Sequence, residues 1–174
     1  MENVQLYLDP VILRLLGLRA IALITIRTQQ GRDAEGKAFA PYSTKPFAMP
    51  AGGLTQRAKG ALEGKLSYFR KPHGALWVVI QSGYAGLKQA SYNDGSVNLT
   101  ATGGMLRALT IVGIDSRANL IRIGFTRQEE AEKALWHNET GAGKGKTIRE
   151  FLGLTREEVQ ELMALAATRI EIRT

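Results

Sequence analysis

Residues 109–125 read Leu-Thr-Ile-Val-Gly-Ile-Asp-Ser-Arg-Ala-Asn-Leu-Ile-Arg-Ile-Gly-Phe. Two apolar or alternating runs, 109–115 and 120–125, flank a polar, turn-like 116–119. That pattern predicts a β-hairpin. Helical signals lie on both sides of it. Before it, a short helix around 104–110 turns Met105, Leu106 and Leu109 inward. After it, 127–137 reads as a helix with Ala131, Ala134 and Leu135 on one side, and glycines at 141–145 break the chain. Further on, Thr155-Arg156-Glu157-Glu158 has the form of a capping box: the threonine accepts from the N3 amide and Glu158 reaches back. Val159, Leu162, Met163, Ala166 and Ile170 follow as the predicted inward stripe of a C-terminal helix.

Toward the N-terminus, 75–82 is apolar on both faces, Leu76, Val78 and Ile80 against Trp77 and Val79, which predicts a strand central in its sheet. Residues 83–95 read as irregular, with Asn93-Asp94-Gly95 marking a tight turn. Residues 55–69 predict a short helix weakened by Gly60 and Gly64. Prolines 41, 46 and 50 and glycines 31, 36, 52 and 53 make 31–54 a long loop, a candidate inter-subunit arm. Phe39, Tyr42 and Phe47 are its apolar anchors, either as subunit contacts or as pins to its own core.

The most apolar run is 10–26, PVILRLLGLRAIALITI. Arg14 and Arg19 interrupt it, and it falls short of the ~20 uncharged residues a spanning helix needs. No positive flank or small-residue cleavage pattern marks the start as a signal peptide. Asp9 suits an N-cap and Pro10 the first helical position. The helix is read as buried or facing an oligomer partner: Val11, Leu15, Leu18, Ala22 and Ile26 form one stripe at helical spacing, Ile12, Leu16 and Leu23 widen it, and Ile21 and Ile24 fall on other faces as candidate subunit contacts. A helix apolar on most sides wants burial on more than one. These elements together predict one α+β domain over 1–174. A small mixed or antiparallel sheet carries a long N-terminal helix and a C-terminal helix, joined by long loops.

Composition narrows the function classes. The 174 residues include no cysteine and two histidines, which excludes disulfides, thiolate chemistry and multi-histidine metal sites. Lys plus Arg is 23 against 16 acids, a net of +7. The excess is local: 57–71 holds Arg57, Lys59, Lys65, Arg70 and Lys71 against Glu63 alone. Such a field attracts nucleic acid or acidic protein surfaces, and the plainer reading is a solvated charged face. Together with Lys144 and Lys146 these are the candidate contacts to DNA or an acidic partner.

No catalytic constellation emerges. Gly145-Lys146-Thr147 resembles the end of a phosphate-binding loop, but the glycine required five residues earlier is Thr140, and no apolar strand precedes it. His137 and Glu139 sit too close along a helix to face each other. Acids are sparse between 36 and 126, which disfavours a paired-carboxylate hydrolase. No catalytic, cofactor-binding or metal residue is assigned, and no cofactor is expected.

Four stretches, in order, resemble the virion-morphogenesis or tail-completion proteins of tailed bacteriophages, which join heads to tails. They are Gly36-Lys37-Ala38-Phe39-Ala40-Pro41-Tyr42-Ser43; Leu99 through Thr102-Gly103 to Met105-Leu106; the hairpin running into a helix that ends at His137 with Gly141 soon after; and Arg149-Glu150-Phe151-Leu152-Gly153-Leu154 before the last helix. Glu150 stands where the family usually has proline, and 143–146 lengthens the link. The resemblance implies a virion protein of the neck or tail top, made in the host cytoplasm, with no enzymatic activity. It implies a homo-oligomeric ring of six or twelve copies whose partners are itself, neighbouring neck and tail-tube proteins, and the DNA in the channel, with no membrane. Tail terminator and head-side stopper are neighbouring roles. From the charge alone, the competing reading is a basic nucleic-acid-binding module, though the surface aromatics and recognition helix of such modules are not evident in the sequence.

Overall fold

A computed structural model describes residues 5–72, 74–143, 145–169 and 171–173. The chain is mixed α and β, as the sequence predicts. Where the sequence reading treats 1–174 as one domain, the fold divides into two compact units: 1–39 with 98–174, and 40–97.

The first unit is built on helix α1 (Pro10–Gln29). The Asp9 carboxylate accepts from the Val11 amide at 2.6 Å and Pro10 opens the first turn, as expected. The helix lies on the antiparallel hairpin of β5 (Leu109–Asp115) and β6 (Leu120–Phe125), paired from Leu109↔Phe125 to Asp115↔Leu120 with an irregularity at Ile111/Gly113. The Asp115 carboxylate caps the tight turn by accepting from the amides of Arg117 and Ala118. Gly17 sets the closeness of helix and hairpin. A β-carbon there would stand 2.7 Å from Ile111 Cδ1 and 3.0 Å from Ile121 Cγ2.

The buried side of α1 is Leu13, Leu16, Ala20 and Ile24, ending in Arg27 and Thr28. Of the apolar stripe noted in the sequence, Val11, Leu15, Leu18 and Ile26 point to solvent and Ala22 is half-buried, while Leu16, which widens it, is buried. Both sides of α1 are apolar, so periodicity alone cannot choose between them. The small residues Gly17 and Ala20 and the hydrogen-bonded Arg27 and Thr28 do.

The short α4 (Gly104–Arg107) buries Met105 and Leu106. Helix α5 (Gln128–Leu135) ends sooner than predicted, passing into a single wide π-type turn over Trp136–Thr140. There Asn138 accepts from the amides of Phe151 and Leu152 at 2.9 Å each and donates to the Ala134 carbonyl at 2.8 Å. It thereby pins the fully buried Phe151 to the end of α5. The predicted capping box opens α6 (Arg156–Ala167), which packs on α1. Its stripe is only partly inward: Leu162 and Ala166 are half-buried, while Val159 and Met163 are exposed. Ile170 lies outside the described residues. Strands β1 (Gln5–Tyr7) and β7 (Glu171–Arg173) pair antiparallel.

The second unit is a three-stranded antiparallel sheet in the order β2-β4-β3, formed by β2 (Phe47–Pro50), β3 (Leu66–Arg70) and β4 (Leu76–Ile80). The predicted central strand is central. Val78 and Ile80 are fully buried with Leu54, Ala58 and Leu62, under helices α2 (Gln56–Ala61) and α3 (Gly83–Tyr92). Three predictions change here. The helix expected over 55–69 stops at Ala61, and Gly64 turns the chain into β3. The loop over 31–54 contains β2, whose Phe47 and Met49 pack on the core. The irregular 83–95 is mostly helix α3, closed by Asn93 in the left-handed region. Among the described residues, no helix is long and apolar enough to cross a membrane.

Candidate functional site

Two surfaces stand out, one on each unit. The first is the outer face of α1. Val11 is 72% exposed and Leu18 53%, with Leu15 and Ile26 also exposed. From residue 11 to residue 26 this strip runs about 22 Å along the helix at 1.5 Å per residue. Single exposed apolar residues are ordinary, but a continuous helical strip of four is not. On one flank, Arg19 Nε donates to Glu161 of α6 at 2.6 Å. At the C-terminal end of the strip, an open cleft of about 480 Å³ is lined by Ile26, Arg27, Arg32 and Glu35 with Thr155 and Glu158. The cleft mixes charges of both signs with apolar atoms, and no nucleophile and base converge in it.

The candidate subunit contacts divide. Ile24 is 4% exposed and Phe39 7%, so both belong to the core, and Ile21 is half-buried. These two corrections share a reason: each side chain fills space within its own unit. Tyr42 and Phe47 are half-buried and gather around Tyr84, with ring centroids 5.0 and 6.4 Å away. They anchor the 40–47 segment to its own unit. The strip of α1 that faces solvent is Val11, Leu15, Leu18 and Ile26.

The second surface is the β3–β4 hairpin. Arg57, Lys65, Arg70 and Lys71 are exposed and Lys59 half-buried. The sequence reading finds no aromatics among them, yet Tyr68 and Phe69 of β3 are exposed, and Phe69 lies 6.4 Å from Trp77 of β4, centroid to centroid. Lys71 Nζ sits 3.5 Å over the Trp77 ring.

Lys146 is exposed in a left-handed turn closed by the Ala142↔Thr147 bridge, and Lys144 lies outside the described residues. No helix begins at Thr147, so the turn lacks the helix N-terminus on which a P-loop holds its phosphates.

Two buried ionisable groups have shifted pKa values. Burial pushes the Lys88 ammonium below its usual range, opposed by Asp94. Its Nζ donates to the Ser96 carbonyl at 2.5 Å and lies 5.1 Å from the Tyr42 ring centre, tying the 94–96 loop and the 40–47 segment together. Burial also lowers the pKa of His137, with the Arg149 charge adding to the effect. Among the described residues, no group of three or more histidines and acids is placed to hold a metal ion. Comparison of the chain with protein-family models, with curated proteins and with solved structures finds no match in any of the three.

Proposed function

We propose that the chain is a structural virion protein of a tailed phage, a tail-completion or neck component that joins head and tail as a homo-oligomeric ring. The observation that carries the self-association is α1, apolar on both sides. Its inner side, Leu13, Leu16, Ala20 and Ile24, is used within the fold. Its outer side, Val11, Leu15, Leu18 and Ile26, is left 42–72% exposed by the described residues. Leaving such a strip in water forgoes about 25 cal/mol for each Å² of apolar area, and a second copy recovers that. Around a closed ring every contact is repeated, so modest interfaces sum to a stable assembly.

The phage role itself is supported by the ordered resemblance. The residues that bear it are framework residues: Gly36 and Gly103 hold left-handed turns, while Phe39, Met105, Leu106 and Phe151 are buried. Glycine turns and buried apolar residues of this kind serve a scaffold and need no reactive centre. Localisation in the assembled particle tests the role. Antibody labelling at the head–tail junction is expected. Label on the tail tube or capsid shell alone, or none on the particle, contradicts it, and label on one side of the junction separates stopper from terminator.

A further inference from the structure

We propose that the β3–β4 hairpin binds single-stranded nucleic acid, stacking bases on Phe69 and Tyr68 and taking phosphates on Arg70 and Lys71 toward its tip and on Lys65 at its base. This is separate from ring formation, which uses α1 of the other unit.

Charge is the first ground. Residues 40–97 hold seven Lys/Arg and two acids, so +5 of the chain's +7 lies in this unit. Asp94 is taken by the buried Lys88, which leaves Glu63 as the remaining acid. Among the described residues, Arg57, Lys59, Lys65, Arg70 and Lys71 form no ion pair. A surface with this many unneutralised cations is complementary to a polyanion.

The second ground is the shape of the hairpin. Strand β2 covers β4 only from Trp77 to Ile80, and Val78 and Ile80 are the buried residues of the pair. Trp77 still pairs with Pro50, so only the Arg70–Leu76 pair is two-stranded, while Tyr68 and Phe69 lie on β3, an edge strand of the three-stranded sheet. Tyr68 is 51% exposed on one face, with Arg70; Phe69 is 41% exposed on the other, beside Trp77 and Lys71. Each face therefore offers a ring two residues from a cation, Tyr68 with Arg70 and Phe69 with Lys71. A partner that satisfies both must alternate flat apolar surface with negative charge, as a nucleotide strand does. An acidic protein would neutralise the cations and leave the rings wet. A membrane wedge needs its apolar residues at the tip, and here Arg70 and Lys71 sit at the tip while the rings lie behind them. Paired bases are already stacked, so open ring faces favour an unpaired strand.

The test is fluorescence anisotropy of the whole protein with a labelled oligothymidylate of about 20 nucleotides, a duplex of equal length, and anionic vesicles, at about 50 mM salt and above. Oligothymidylate is expected to bind more tightly than duplex, with affinity falling steeply as salt rises. Phe69→Leu and Tyr68→Leu are each expected to weaken it roughly five- to hundredfold, as loss of one stacked base implies. Arg70→Gln with Lys71→Gln should flatten the salt dependence. Lys37→Gln removes one exposed cation from the other unit and should change affinity less than twofold. These side chains are exposed, and circular dichroism verifies folding. No binding, preference for duplex or vesicles, or equal losses in Phe69→Leu and Lys37→Gln each overturn the proposal.

Discussion

Arg27 at the end of α1 donates to the Glu158 carboxylate in the first turn of α6, across 131 residues of sequence. The same Glu158 oxygen accepts from the Thr155 amide at 2.8 Å, completing the capping box. The guanidinium also donates to the carbonyls of Phe151 and Gly153, at 2.8 and 2.9 Å. Both partners are largely withdrawn from water, with side chains 6% and 12% exposed. One carboxylate thus starts a helix and fastens it to another.

Removing one member of a buried pair strands the other. Arg27→Met is expected to cost about 3–5 kcal/mol in urea unfolding, because Glu158 and two carbonyls lose their donor. Glu158→Gln should cost less, since the amide oxygen still accepts. Equal, small losses for both would show the pair to be dispensable.

Thr155→Ala deletes the oxygen that accepts from the Glu158 amide at 3.2 Å. The expected loss is about 1 kcal/mol, with the fold retained. Thr155→Ser should recover most of it.

His137 makes stability depend on pH. Its Nδ1 is buried with no hydrogen-bond partner among the described residues, and its folded pKa lies below the usual 6.5, from burial first and Arg149 second. The unfolded chain therefore binds the proton more readily. The contribution is full above about pH 6.5 and is lost as pH falls from there through the folded pKa. Wild-type Tm should drop over that interval more than that of His137→Gln. Parallel profiles would remove His137 as the cause.

Gly83 has φ +66°, and a β-carbon there would lie 2.4 Å from the Ser43 carbonyl oxygen. Gly83→Ala combines a strained backbone with a clash against backbone atoms, so a loss of about 2–4 kcal/mol is expected. Gly60 has open space at the same test, and Gly60→Ala in α2 should be neutral or mildly stabilising. Reversal of that order would contradict the packing described.

What was legible in the sequence is what local chemistry determines. The Asp9-Pro10 start, the 109–125 hairpin and the Thr155–Glu158 box each satisfy their own hydrogen bonds within a few residues. Strand β3 was hidden because its pairing with β4 lies outside the window that reads Leu66-Ser67-Tyr68-Phe69-Arg70. Helix α3 was hidden by its glycines: Gly83 is required by the close approach of the Ser43–Thr44 backbone, and Gly86 by the Ser82 side chain one turn before it. Arg27 and Asn138 act on partners 131 and up to 14 residues away, and no spacing rule marks them. The face of α1 was undecidable for the reason that makes it interesting: Val11, Leu15 and Leu18 are as apolar as Leu13, Leu16 and Ala20.

The most direct test of self-association through that face is the particle mass in solution, by light scattering, for wild type and Leu18→Glu. The account predicts a multiple of the 19.0 kDa chain for wild type and a folded, smaller species for Leu18→Glu. A wild type that stays at 19.0 kDa at every concentration, or a Leu18→Glu particle of unchanged mass, would contradict it.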